Sequence, residues 1–346
     1  MKDSRNCSTV QLSGVLVTLA AAAVVVIVSI FILSKTPFST IYYFFIGPFA
    51  NKYYLGNMLN SVVPLIFTGL GISFAFKASM FNLGGEGQVY AGGFIAASVA
   101  LLIPSLPGVI GIFLSLLVAA VCGALIAGLS GFFKMKWNTD ELITSFLISN
   151  ALIYTIDFFI TGPMDDPTNN LLATRKIASQ YHLLRIFPPS SLNISVIIAI
   201  LAVIFSFWIL FKTNHGYELR LSGLNSEFAR YGGINIGKYI FLPMLWSGAF
   251  NALAGAVSVL GTTHCCIKGF SNGVGWNGIA VALIARNNPA AVVPAALFFA
   301  FIEAGANSAM INADVTIEIA SIVKAVIFFL ITSRVIYNSF RRKALV

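Results

Sequence analysis

Apolar runs of roughly 20 residues, the length that crosses ~30 Å of hydrocarbon as a helix, recur along nearly the whole chain. They cover 12–33, 58–76, 81–103, 108–132, 141–161, 192–211, 239–262, 274–286, 289–311 and 315–337, and the eighth is too short for a full crossing. The pattern predicts an all-α, polytopic membrane protein of about ten transmembrane helices, with a single membrane domain over 1–346 and no soluble domain. The first run follows a short basic start. It is longer than a signal-peptide core and no small-residue cleavage site precedes Lys35, so a retained span is expected.

Polar residues and glycines interrupt two of these runs. FNLGGEGQ, Phe81 to Gln88, sets Asn82, Glu86, Gln88 and three glycines inside a stretch running from Val62 to Leu102. An unpaired polar group costs several kcal/mol in hydrocarbon, so such a break faces protein or a water-filled path. GVGWNGIAVALIA (273–285) echoes GGEGQVYAGGFIAASVA (84–100), each polar and glycine-rich at its start and apolar afterwards. Corresponding broken segments point to a midplane substrate site and a two-half internal repeat; chance likeness between Gly/Ala-rich helices is the competing reading.

Glu86 is a functional candidate because it ionises inside a span. The favoured reading is structural, with the acid bonded to backbone freed by Gly84, Gly85 and Gly87 or capping a helix end. Asn82, Gln88, Asn272 and Asn277 offer donors and acceptors, and Trp276 offers a stacking face. That set suits a neutral polar solute with a planar part; interhelical hydrogen bonding is the alternative for each residue. Asp157, Glu303, Asp314, Glu318 and Lys324 also fall near membrane depth, and Lys324 needs a carboxylate or water contact.

Composition agrees with the pattern. At 58% hydrophobic and 10% charged, the chain is not a soluble globular domain, in which about a quarter of residues are charged. The net charge of +9 is explained by orientation and calls for no nucleic acid. With the N-terminus inside, the cytoplasmic loops collect 14 basic residues: Lys2, Arg5, Lys77, Lys134, Lys136, Lys212, Arg220, Arg230, Lys238, Arg286, Arg334, Arg341, Arg342 and Lys343. The outer side collects 6: Lys35, Lys52, Arg175, Lys176, Arg185 and Lys268. Both termini are thereby expected in the cytoplasm. Cys7, Cys122, Cys265 and Cys266 show no disulfide or metal spacing, and the adjacent pair reads as small packing residues.

Three connections stand out. Residues 35–57 are aromatic-rich and fit an outer interfacial segment. Residues 161–191 lie outside and form either a docking surface for an extracytoplasmic partner or a solvated connection. Residues 212–238 are cytoplasmic; Asn225 or Ser226 can cap a short helix there, with Glu227 in its first turn and Gly232-Gly233 at its end. Such a helix is a lever for a soluble partner, or else an amphipathic loop on the membrane surface. Enzymatic signals are lacking: there is no GxxxxGK[ST], HExxH or GxSxG, and His182, His215 and His264 are scattered. No catalytic residue, metal ligand or bound cofactor is expected in this chain.

MFNLGGEGQVYAGG (80–93), LRLSGLNSEFARYGGINIGKYIFLP (219–243) and GVGWNGIAVALIARNNP (273–289) together resemble the permease subunits of bacterial ABC importers of the ribose, branched-chain amino acid and nucleoside superfamily. The likeness extends from about Leu55 to Tyr337, and its wording is nearest to nucleoside-type permeases served by a basic-membrane-protein lipoprotein receptor. The resemblance implies a transport subunit of a bacterial cytoplasmic (inner) membrane. It further implies a second, different permease chain, an extracytoplasmic substrate-binding lipoprotein, and ABC ATPase subunits that use ATP and Mg²⁺. On the same footing Arg220, Asn225, Glu227, Arg230, Gly232 and Gly233 belong to the segment that couples to the ATPase, with alternating access as the mechanism. Phe228 replaces a usually small residue of that segment, and Lys324 a usually neutral polar one. The implied solute is a purine or other nucleoside, with ribose-like sugars or branched-chain amino acids as alternatives. An ion-coupled secondary transporter using Glu86, Glu303 or Asp314 is the contrasting class.

Overall fold

The computed structural model describes residues 34–168 and 170–313, together with 24, 26–28, 30–32, 315, 316, 318, 321, 322, 324–326 and 329. The expectations for Lys2, Arg5, Cys7, Asp314, Arg334, Arg341, Arg342 and Lys343, and for most of the runs 12–33 and 315–337, lie outside these residues. Helices carry the described part, with three isolated antiparallel bridges and no named strand among the described residues. They are α1 (Pro37–Ile46), α2 (Lys52–Lys77), α3 (Gly85–Leu102), α4 (Gly108–Trp137), α5 (Glu141–Ile160), α6 (Ser195–Lys212), α7 (Asn214–Leu224), α8 (Ser226–Tyr231), α9 (Ile236–Ser258), α10 (Val274–Ile284) and α11 (Pro289–Asn312).

Six of these are long and apolar enough to cross a membrane: α2, α4, α5, α6, α9 with its extension to Thr263, and α11. The chain is a multi-pass helical membrane protein. In α4, α5 and α6 only 22% of the apolar window is buried, so most of each helix faces outward. Phe113, Leu125, Ile143, Tyr154 and Ile204 cover those faces and are exposed, as lipid contact requires.

The chain divides into two compact units. In the larger, Leu59–Leu297, α3 packs against α4, α5, α9 and α10. Small residues let the backbones approach: Gly92 meets Ala252, Gly255 meets Val89, and Gly123 meets Gly248. Between α2 and α9, Phe67 and Phe74 pack on Phe250 with ring centroids 6.4 and 5.7 Å apart. In the smaller unit, Phe44, Phe45 and Phe49 gather around Phe301 at 5.9–6.4 Å. Lys324 Nζ there lies 3.4 Å from Glu303 Oε2, so the carboxylate that a membrane-depth lysine needs is supplied by Glu303.

The break expected at FNLGGEGQ is present, and one run boundary is corrected. The run 81–103 does not start as helix: α2 ends at Lys77, Ser79 turns with φ 55°, and residues 80–84 are irregular until α3 begins at Gly85. Side chains there satisfy the backbone without a helical ladder, as the Leu83 N–H donates to Ser145 Oγ and the Gly84 N–H to Asn82 Oδ1. The connection 35–57 holds a helix of its own. It contains α1, started by Pro37, whose missing N–H is harmless in a first turn.

Candidate functional site

Glu86 sits in the first turn of α3, 9% exposed, and reaches across to the start of α10. Its Oε1 accepts from Ser271 Oγ (2.6 Å) and the Gly273 N–H (2.9 Å), and its Oε2 from the Gly275 N–H (2.8 Å). The acid therefore caps the second glycine-rich segment. Of the two structural roles expected for it, capping a helix end is the one observed; of the glycines around it, Gly84 donates to Asn82 Oδ1 and Gly87 to Ser149 Oγ, at 2.9 and 2.8 Å. The amino ends of α3 and α10, both carrying partial positive charge, converge on this carboxyl. A Cβ at Gly275 would lie 2.5 Å from Glu86 Cα and nearer still to Glu86 N and Gly85 C. The two helix starts meet backbone to backbone.

Asn82 and Gln88 form a closed cluster beside this junction. Asn82 Nδ2 donates to Gln88 Oε1 (2.8 Å) and Ser247 Oγ (2.9 Å), and Gln88 Nε2 returns a bond to Asn82 Oδ1 (3.1 Å). Asn251 Nδ2 also donates to Gln88 Oε1 at 2.8 Å. Asn82, Ser247 and Asn251 are 0% exposed and Gln88 is 1% exposed, so in this conformation the amides face one another. The bonds among Asn82, Gln88, Ser247 and Asn251 Nδ2 fix the relative placement of α3 and α9, while the buried Asn251 Oδ1 has no hydrogen-bond partner among the described residues.

The rest of the candidate set is open. Trp276, 42% exposed, stands in the first turn of α10 with its ring centroid 6.2 Å from that of Phe146. Asn277 follows, half-buried, and Asn272 is exposed with φ 41°. The structure thus places Asn272, Trp276 and Asn277 on an accessible edge and Asn82 and Gln88 behind it, with Glu86 joining the two.

Sequence reading missed Ser145, Ser149, Ser247, Asn251 and Ser271. A signal for four of them was present. Ser145/Ser149 and Ser247/Asn251 are polar pairs spaced i, i+4, which puts each pair on one face of an apolar helix.

Between α7 and α9, α8 is a single short helix. Asn225 Oδ1 accepts from the Phe228 N–H (2.9 Å) as its N-cap, and Gly232 and Gly233 (φ 79°) close it. Glu227, Phe228, Arg230 and Tyr231 are exposed, Tyr231 at 93%. Arg220 is placed differently, on α7, with its guanidinium 4.9 Å from the Phe211 ring centre. Ser79 Oγ donates to the Gly223 carbonyl at 2.6 Å, and Tyr239 Oη donates to Glu218 at 2.5 Å. These bonds tie α7 to the end of α2 and to α9, and α8 projects from that base.

The rings of His182 and His264 stack, with centroids 3.6 Å apart and planes 10° apart. His264 follows the π-helical turn Val259–Thr263 with φ 57°, and its Nδ1 has no partner among the described residues. Burial, then the charges of His182, Arg185 and Lys176, push its imidazole from 6.5 down to about 4. A folded value below the unfolded one means that this stability is complete above about pH 6.5 and is lost as pH falls toward 4. The Ile177 N–H donates to the His264 carbonyl (3.0 Å). Amide exchange at Ile177, corrected for intrinsic pH dependence, is expected to quicken across that window; constant protection would contradict it. Cys265 and Cys266 are buried and unpaired, and burial raises both thiols.

Two broken helix starts are clasped by one acid, inside a bundle with outward-facing apolar flanks and a short capped helix, α8, outside the long apolar ones. Residues 54–332 match the family described as the permease component of branched-chain amino acid transport systems, and the chain belongs to that family of ABC importer permeases. It is 35% identical to a probable riboflavin import permease of Treponema pallidum, over 90% of this chain and 83% of the relative. It is 32% identical to a guanosine ABC transporter permease of Bacillus subtilis, over 94% and 92%, and a second guanosine permease of that organism also matches. A glucose ABC transporter permease of Haloferax volcanii is 30% identical over 91% and 86%. No solved structure matches the chain.

Proposed function

We propose that this chain lines the path by which a nucleoside, in the first place a purine nucleoside, enters a cell across the bacterial cytoplasmic membrane. The observation that carries the reading is the open edge at the start of α10. There the Trp276 ring is backed by Phe146 and flanked by the amides of Asn272 and Asn277. A flat apolar face beside paired donors and acceptors suits a base with polar ring atoms joined to a ribose. Similarity to the guanosine permease of Bacillus subtilis supports the same class. A sugar is the second reading, favoured by the glucose permease of Haloferax volcanii.

The rest of the machine follows from this role. Ten spans place both termini in the cytoplasm, and the α3 and α10 starts are the corresponding breaks of two halves within one domain. A second permease chain completes the path, as two guanosine permeases of one organism among the relatives suggest. A lipoprotein receptor docks on 161–191. Partner ATPases hold ATP and Mg²⁺ and grip α8 through Asn225, Glu227, Arg230, Gly232 and Gly233, while Arg220 braces the base. ATP binding closes the ATPases, α8 moves, and the bundle alternates its access.

Labelled guanosine uptake, competed by unlabelled adenosine, ribose, glucose and leucine, tests the substrate class. Adenosine alone should compete; competition by the sugars or by leucine alone overturns the choice. Trp276→Ala should raise the guanosine KM roughly fivefold, the worth of about 1 kcal/mol of stacking. An unchanged KM would remove Trp276 from the path. Glu227→Lys should cut uptake about tenfold at normal membrane insertion, because it reverses a charge on a partner-facing surface. Full uptake with normal ATPase co-purification would refute that contact.

A further inference from the structure

The outer connection 161–191 is built into the segment leading to α10. The Lys268 N–H donates to the Leu172 carbonyl (2.9 Å), the Thr174 N–H to the Cys266 carbonyl (3.0 Å), and the Cys266 N–H to Thr174 Oγ1 (3.0 Å). Ala173 and Ile267 form an antiparallel bridge. This strand-like pairing holds one side of residues 264–268.

The next residues are held from within the bundle. The Gly269 N–H donates to Tyr90 Oη (2.9 Å), and Tyr90 Oη donates to Asp157 Oδ1 at 2.5 Å, a short charge-assisted bond. The Phe270 ring lies 5.4 Å from that of Tyr90 and rests on Gly93. Glu86 then grips Ser271, Gly273 and Gly275. Gly269 and Gly273 have φ of 73° and 77°, a backbone conformation that favours glycine, and Gly269 lies between the paired residues 264–268 and those that Glu86 holds. Asp157 itself lies in the last turn of α5, and its carbonyl accepts from Thr161 Oγ1 (2.8 Å) where the outer connection begins.

We propose that residues 264–275 transmit docking at the outer connection to the α10 edge, and that Tyr90, held by Asp157, is the positioning residue that makes the transmission rigid. The inference rests on the receptor docking assigned to 161–191. A displacement of Leu172–Thr174 carries 266–268 with it by main-chain bonds. Tyr90 fixes the pivot at Gly269, so the motion appears at Ser271–Gly275 and hence at Trp276. With Tyr90 loosened, the same displacement is absorbed at the Gly269 hinge.

The test uses the assembled importer in lipid nanodiscs, with ATP hydrolysis measured without and with substrate-loaded receptor, and receptor affinity measured alongside. Tyr90→Phe should leave basal hydrolysis and receptor affinity unchanged and reduce receptor stimulation about tenfold, within the usual range for coupled sites. Asp157→Asn keeps an acceptor for the tyrosine and should retain stimulation. Thr174→Val removes one bond of the pairing without altering the Tyr90 hydroxyl and should reproduce the loss, which keeps the question decidable if Tyr90→Phe does not assemble. Full stimulation in Tyr90→Phe or in Thr174→Val, at normal receptor affinity, overturns the transmission. A wild-type receptor that fails to protect a cysteine placed at Leu172 from labelling overturns the docking reading itself, and is recognisable as that separate failure.

Discussion

Glu86→Ala is expected to abolish uptake and to lower the thermal stability of the purified protein, with the largest effect of any single side chain considered. The substitution leaves the part-buried Gly273 N–H and the buried Gly275 N–H without acceptors, at about 1–3 kcal/mol for the buried one and less for the other. It also removes the one carboxyl on which the amino ends of α3 and α10 converge. Glu86→Gln keeps the size and one acceptor oxygen but turns an amide N–H₂ toward N–H donors, so an intermediate loss is expected. Thermal unfolding in detergent, read beside labelled uptake, checks both. Wild-type stability for the alanine variant would show that the junction is held by packing alone.

Gly275→Val should be nearly as damaging, for a steric reason. Its Cβ would overlap the backbone of Gly85 and Glu86, which cannot rotate away as a flexible side chain could. Overpacking of this kind costs typically 1–3 kcal/mol and sometimes more. The start of α10 must then move off α3, and the Glu86 bonds lengthen with it. Gly232→Ala is the contrasting case, since its Cβ would find its nearest neighbour at 3.4 Å. That variant should retain the stability of the parent, whereas Gly275→Val should express poorly or melt early. Equal melting of the two would contradict the close approach.

Local chemistry was readable from the chain and long-range pairing was not. The starts of α4, α5, α10 and α11 at Gly108, Glu141, Val274 and Pro289 fall at the expected run boundaries; Pro107, the Asp140 cap and Pro289 mark three of them in place, whereas α10 is capped from afar by Glu86. Asn225 and Gly232 bound α8 for the same reason. The partners of Glu86 lie 185 to 189 residues away, and nothing near Phe81 encodes that meeting. Hydropathy likewise joined 81–84 to α3, since Phe81 and Leu83 are apolar whether or not their backbone is helical. The serines of α5 decide the matter by accepting the N–H groups of Leu83 and Gly87.

The placement of Asn82 and Gln88 carries a related lesson. Amides inside a membrane protein read equally as path lining or as interhelical glue, and only burial separates the two. Here Asn82 and Gln88 are buried and bonded to Ser247 and Asn251, whereas Trp276 is exposed and Asn277 half-buried. Lys324 shows the same limit, since its distance from Glu303 is set by helix packing that the sequence pattern leaves open.

The central claim, that this chain carries a nucleoside along a path opened by another subunit's ATP, is tested most directly by guanosine uptake into proteoliposomes containing the assembled importer. Uptake should require receptor and hydrolysable ATP, stop when the ATPase subunit is inactivated, and continue when a protonophore collapses the proton gradient. Uptake that proceeds with an inactive ATPase and vanishes with the gradient would contradict it.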